Sequence, residues 1–83
     1  MPKRKATTGE TNLVSQRLIE LRKKNNLSQR GLAYKLQLHG YDIDKNVITR
    51  IETNKRYVTD IEIRAFAQIF DVTCDYLIVG DEQ

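Results

Sequence analysis

Lys45, Asn46, Thr49 and Arg50 lie within the nine-residue run DKNVITRIE, Asp44 to Glu52. At about 100° per residue, these four and Thr53 fall within one arc of about 140°, while Val47, Ile48 and Ile51 fall on the opposite side. Such a helix packs with one face and leaves the other free. The free face carries groups matched to base edges. Arginine presents paired donors to guanine O6 and N7, and asparagine matches adenine N6 and N7. Lysine serves a base or a phosphate, and threonine offers a hydroxyl and a methyl. Every exposed helix carries polar residues, so the face alone leaves open whether it reads anything.

The surrounding elements decide how that helix is held. Helix 1 is expected from about Asn12 to Asn25, with Val14, Leu18 and Leu21 on one face. Arg22, Lys23 and Lys24 end it, where cations suit the helix dipole, which is reason enough for Lys23 and Lys24. Helix 2 follows in NNLSQRGLAYKLQL, with Ser28 as N-cap and Leu32, Ala33 and Leu36 facing inward. Gly31 inside it costs about 1 kcal/mol against alanine, which points to close packing on a neighbouring helix or to backbone presented to a partner. Gly40 fits the residue after the helix, with positive φ.

Helix 3 is expected from Lys45 to about Thr53, capped by Asp44, with Ile43 and Ile48 at the spacing of a hydrophobic staple. Thr59 and Glu62 form a capping box at the start of helix 4, whose stripe is Ile63, Phe66, Ala67 and Phe70. Helix 5 is short, capped by Thr73, anchored by Tyr76, Leu77 and Ile78, and ended by Gly80. The expected product is an all-α, five-helix domain over residues 11–80, with two helices joined by a turn as a helix-turn-helix candidate. Residues 1–10 read as a flexible basic arm bearing Lys3, Arg4 and Lys5, and residues 81–83 as a tail.

The 83 residues leave room for one small core and no second domain. The net charge of +3 conceals an asymmetry. Residues 1–56 carry thirteen Lys/Arg against five Asp/Glu, and residues 57–83 carry one Arg against six Asp/Glu. One half is suited to a polyanion and the other to something else. A single cysteine, Cys74, and a single histidine, His39, preclude an internal disulfide and a Cys/His zinc cluster. Low cysteine usage fits the cytoplasm. No apolar run approaches a membrane span or follows the basic N-terminus as a leader would. No cofactor motif, phosphate loop or nucleophile–base pair is present, so catalysis is not expected.

The ordered series LSQRGLAYKL, ITRIETNKR and IRAFAQIFDVTCDYLIVG resembles the xenobiotic-response-element type of helix-turn-helix domain, the family of Cro proteins and small phage repressors. The likeness covers about residues 12–80. It implies a compact lambda-repressor-like fold, sequence-specific binding of double-stranded DNA and transcriptional regulation, most simply repression. It also implies residue roles. Lys45, Asn46, Thr49 and Arg50 match base-contacting positions, and Lys55 and Arg56 match backbone-binding ones. Gln29 matches a glutamine that meets a phosphate and the first side chain of the recognition helix. Arg22 and Glu52 match a scaffolding pair that ties helix 1 to helix 3.

The chain departs from the family pattern in two places. Leu36 and Ile48 stand about five residues further apart than the pattern expects, around LHGYDID, so helix 2 is longer, the turn is a loop, or both. Asp44 also stands where serine or threonine usually begins the recognition helix, with Asp42 close by. In the inserted segment, His39 and Tyr41 have a reading as phosphate or sugar contacts, and Tyr41 and Ile43 have one as cover for the core edge. One short helix reads few base pairs, so a homodimer is expected, with helix 5 and the tail as its seam. The alternative is an antitoxin-like or other protein-binding module in which DNA binding is secondary, with the acidic C-terminal section as its landing site.

Overall fold

The computed structural model describes residues 11–80, so the basic arm with Lys3, Arg4 and Lys5 and the tail 81–83 lie outside the described residues. The chain runs α1 (Ser15–Lys24), α2 (Gln29–Leu38), α3 (Lys45–Glu52), α4 (Asp60–Phe70) and α5 (Cys74–Val79), with no strand among the described residues. The α3 helix packs on α1 and α2, α4 packs on α2, and α5 packs on α4. Leu18, Leu32, Leu36, Ile48, Ile51, Phe66 and Leu77 are fully buried and join all five helices in one core. No helix among the described residues is long and apolar enough to cross a membrane.

The helix starts follow their side-chain chemistry. Ser28, Asp44, Thr59 and Thr73 each accept a hydrogen bond from the backbone N–H three residues on, satisfying a donor that the helix itself leaves unpaired. Glu62 completes the capping box by accepting from the Thr59 N–H. The start of α1 differs from expectation. The helix begins at Ser15 with Val14 as its N-cap position, and Asn12 lies in the turn before it, with Oδ1 accepting from the N–H groups of Val14 and Ser15. Gly31 also finds a different reason. A Cβ there would meet only Ser28 Oγ at 3.2 Å and Leu27 Cδ2 at 3.6 Å, so no neighbouring helix demands the glycine. The space is taken by the cap and the Leu27 side chain beside it.

The segment between α2 and α3 combines both forms open to it. The α2 helix extends to Leu38, and residues 39–44 then form a connection without regular structure. Gly40 turns the chain out of α2 at φ 91°, which glycine adopts without a steric penalty. Ile43 is buried in the core and Tyr41 packs against it, its hydroxyl donating to Gln68 Oε1 of α4. The Gln37 amide donates to the Ile43 carbonyl at 3.2 Å. The connection is thus a packed strap that covers the core edge, while His39 and Asp42 stay exposed.

Candidate nucleic-acid interface

The inward side of α3 is held by a charged network. The Arg22 guanidinium of α1 grips the Glu52 carboxylate with two bonds, Nε to Oε2 at 2.7 Å and Nη2 to Oε1 at 3.0 Å. Its Nη1 donates to the Leu27 carbonyl at 2.9 Å. The Glu52 side chain is 4% exposed and that of Arg22 is 13% exposed, so the pair is sheltered and geometrically fixed. The hydrogen bond to Glu52 raises the pKa of Arg22 above the ordinary arginine range in spite of desolvation, and its charge is permanent.

Gln29, the first residue of α2, joins this network. Its Nε2 donates to Glu52 Oε1 at 2.8 Å, and its Oε1 accepts from the Thr49 hydroxyl at 2.7 Å. A carboxylate only accepts, so the amide must turn its nitrogen toward Glu52, which fixes its orientation. Three helices are locked through four side chains. Gln29 therefore lies against Thr49 and Glu52, one and two turns beyond the first side chain of α3, Lys45. The Thr49 hydroxyl also lies 3.0 Å from the Lys45 carbonyl oxygen, so its single proton is committed within the protein. Thr49 keeps a methyl and acceptor capacity for any outside partner.

The outward side of α3 is free. Lys45, Asn46, Arg50 and Thr53 are exposed, Thr49 is half-buried, and Ile48 and Ile51 lie in the core. A groove beside the first turn of α3 is lined by Arg30, Tyr34 and Gln37 of α2 together with Asp44, Lys45 and Asn46. Sequence reasoning missed Arg30 and Tyr34; the signal available was a large aromatic, 64% exposed here, on the polar side of α2. Asp44 uses Oδ1 on the Val47 N–H at 2.9 Å, which gives its charge a local role in the helix start.

The loop after α3 splits its two cations. Lys55 is exposed, whereas Arg56 pairs with Glu62 at 2.9 Å and its carbonyl accepts from the Asn12 amide at 3.0 Å. Asn54 turns the loop at φ 63° and receives the N–H groups of Thr11 and Asn12 on Oδ1. The Asn12 amide also donates to the Ile51 carbonyl at 3.2 Å. This clamp between the segment before α1 and the end of α3 was not anticipated. Asparagine's tolerance of the left-handed region, in the run TNK, was its only trace in the sequence.

The chain matches a helix-turn-helix family model over residues 18–77, a span that includes α2 and the α3 helix locked against it. The chain belongs to the helix-turn-helix family of the Cro and phage-repressor type. The match runs from within α1 to the buried Leu77 of α5, so the whole five-helix core belongs to the helix-turn-helix unit. A search of curated proteins finds no match. The helix-turn-helix assignment makes the protein a DNA-binding regulator, with α2 and α3 as the helix pair.

Proposed function

We propose that the protein binds specific sites in double-stranded DNA, as a homodimer, and represses transcription in a prokaryotic or phage setting, in the cytoplasm. The observation that carries the reading is the two-sided character of α3: its inner side is tied to α1 and α2 through Arg22, Gln29 and Glu52, and its outer side leaves Lys45, Asn46 and Arg50 unobstructed. Rigid presentation suits base reading, because paired bonds to a base edge demand fixed geometry. In this reading Arg50 and Asn46 meet base edges, Lys45 meets a base or a phosphate, and Thr49 offers its methyl. Gln29 keeps one amide proton for a phosphate. Lys55 binds backbone, and Arg56 does so while paired with Glu62.

Two alanine variants separate the roles. Arg50→Ala is expected to cost about 1–3 kcal/mol on the selected site and to relax sequence choice, whereas Lys55→Ala weakens all duplexes alike and lowers the salt slope by about one. Sites come from selection on a random duplex pool, followed by titration at several salt concentrations. An equal loss on every sequence for Arg50→Ala would make Arg50 a phosphate contact.

The second reading, a module whose main partner is a protein, is favoured by the exposed Ile78 and Val79 of α5. Salt discriminates between them. A groove binder loses roughly a thousandfold in affinity between about 50 and about 200 mM salt, through release of counterions from several phosphates. Absence of binding to any duplex at low salt would end the DNA-reading proposal.

A further inference from the structure

The groove beside the first turn of α3 holds three charged side chains that form no ion pair. Arg30 stands on the α2 wall with Tyr34, about one turn further along the same face, and Asp44 and Lys45 stand on the α3 wall with Asn46. All five residues are exposed. The ion pairs among the described residues, Arg22 with Glu52 and Arg56 with Glu62, lie elsewhere. Asp44 Oδ1 accepts from the Val47 N–H at 2.9 Å, and no described residue donates to its Oδ2. The carboxylate is therefore tied by one oxygen and open at the other. Its backbone is fixed as well, since Ile43 before it is buried and its own carbonyl accepts from the Ile48 N–H at 3.3 Å.

We propose that Asp44 reads a base, its Oδ2 accepting from the 4-amino group of a cytosine in the major groove. The inference rests on the DNA-binding reading and names one base of the site. In the major groove guanine presents N7 and O6 and thymine presents O4, all acceptors. Adenine presents an amino group beside the acceptor N7, and cytosine presents an amino group alone. A carboxylate only accepts. It is repelled by guanine and thymine, meets adenine at a cost from N7, and suits cytosine.

Three features favour a base over a phosphate as its partner. Residues at the start of the second helix of a helix-turn-helix pair meet base edges, and Asp44 directly precedes Lys45 and Asn46 on the same wall. A phosphate repels a carboxylate, whereas Arg30 and Lys45, one on each wall, offset the Asp44 charge and leave the groove attractive to the backbone on either side of the base. The bond that ties Oδ1 fixes the carboxylate plane, which a base edge requires and a phosphate does not. The cap itself does not call for a charge, since Ser28, Thr59 and Thr73 make the same bond with hydroxyls.

The test uses Asp44→Asn and Asp44→Ser in the full chain. Asparagine and serine cap helices as aspartate does, and circular dichroism and thermal melting check the fold. Asparagine keeps the cap on its oxygen and turns an amino group to the groove in place of Oδ2, while serine keeps the cap and withdraws from the groove. Bound sequences are selected from a random duplex pool for wild type and for each variant. Each selected site is then titrated beside its single-base variants at one salt concentration. The expected wild-type site holds cytosine at one position, where thymine costs about tenfold in affinity. Asp44→Asn exchanges that preference for guanine or thymine, Asp44→Ser loses it, and both leave the rest of the site as it was. Variants that keep the wild-type preference at every position overturn the proposal and leave the DNA reading standing. If they also gain affinity equally on all duplexes, Asp44 faces a phosphate. A wild-type preference for any base other than cytosine at the position that the variants alter overturns it too. A wild-type chain that selects no sequence ends the DNA reading and the proposal together.

Discussion

Glu52 is the residue that fixes α3 in place. It accepts from Arg22 and Gln29, which come from two other helices, while it sits at the end of α3. Removing it strands the Arg22 guanidinium in a sheltered site and frees the Gln29 amide to rotate. Glu52→Ala is therefore expected to cost roughly 3 kcal/mol, read as a lower urea midpoint at unchanged slope. Much of this was legible. The family resemblance pointed to Arg22 and Glu52, and a period of 3.6 separated Lys45, Asn46 and Arg50 from Ile48 and Ile51. Two features were not legible. The partners of Gln29 depend on which carboxylate the folded chain brings to it. The pairing of Arg56 with Glu62 depends on how a loop folds back on the start of α4. Neither geometry is encoded in spacing along one helix.

At the scale of elements, caps were the most readable feature, because a cap is a local bond between a side chain and an amide three residues away. The four caps at Ser28, Asp44, Thr59 and Thr73 are of this kind. The 39–44 connection was legible only as extra length, since its form depends on the room left between α2, α3 and α4. Its two core-facing side chains, Tyr41 and Ile43, make it a fixed spacer. The end of α4 offers an independent check on cap chemistry. Asp71 ends the helix at φ 56° and ψ 47°, a left-handed conformation that costs a residue with a Cβ about 1 kcal/mol or more. It also puts a negative charge at the negative pole of the helix. Asp71→Gly is expected to raise stability by about 1 kcal/mol, seen as a higher melting temperature with unchanged DNA affinity.

At the scale of the whole molecule, the division of charge runs along the sequence. The segment through residue 56 holds thirteen of the fourteen Lys and Arg residues together with α3, and the remainder holds six of the eleven Asp and Glu residues. The two segments are sewn together by the core and by the bonds of Tyr41 to Gln68 and Arg56 to Glu62. Within the first segment, the bonds from Thr11 and Asn12 to Asn54, and from Asn12 to the carbonyls of Ile51 and Arg56, have a kinetic consequence. An eight-residue helix such as α3 would ordinarily fray at its end within a stable domain. Here the last turn cannot open unless the entry to α1 opens with it. The amides that close the end of α3, such as those of Thr53 and Asn54, are expected to exchange with deuterium only through near-global unfolding, as slowly as those of the core. Asn12→Ala should free that turn alone, bringing fast local exchange while the centre of α1 stays protected.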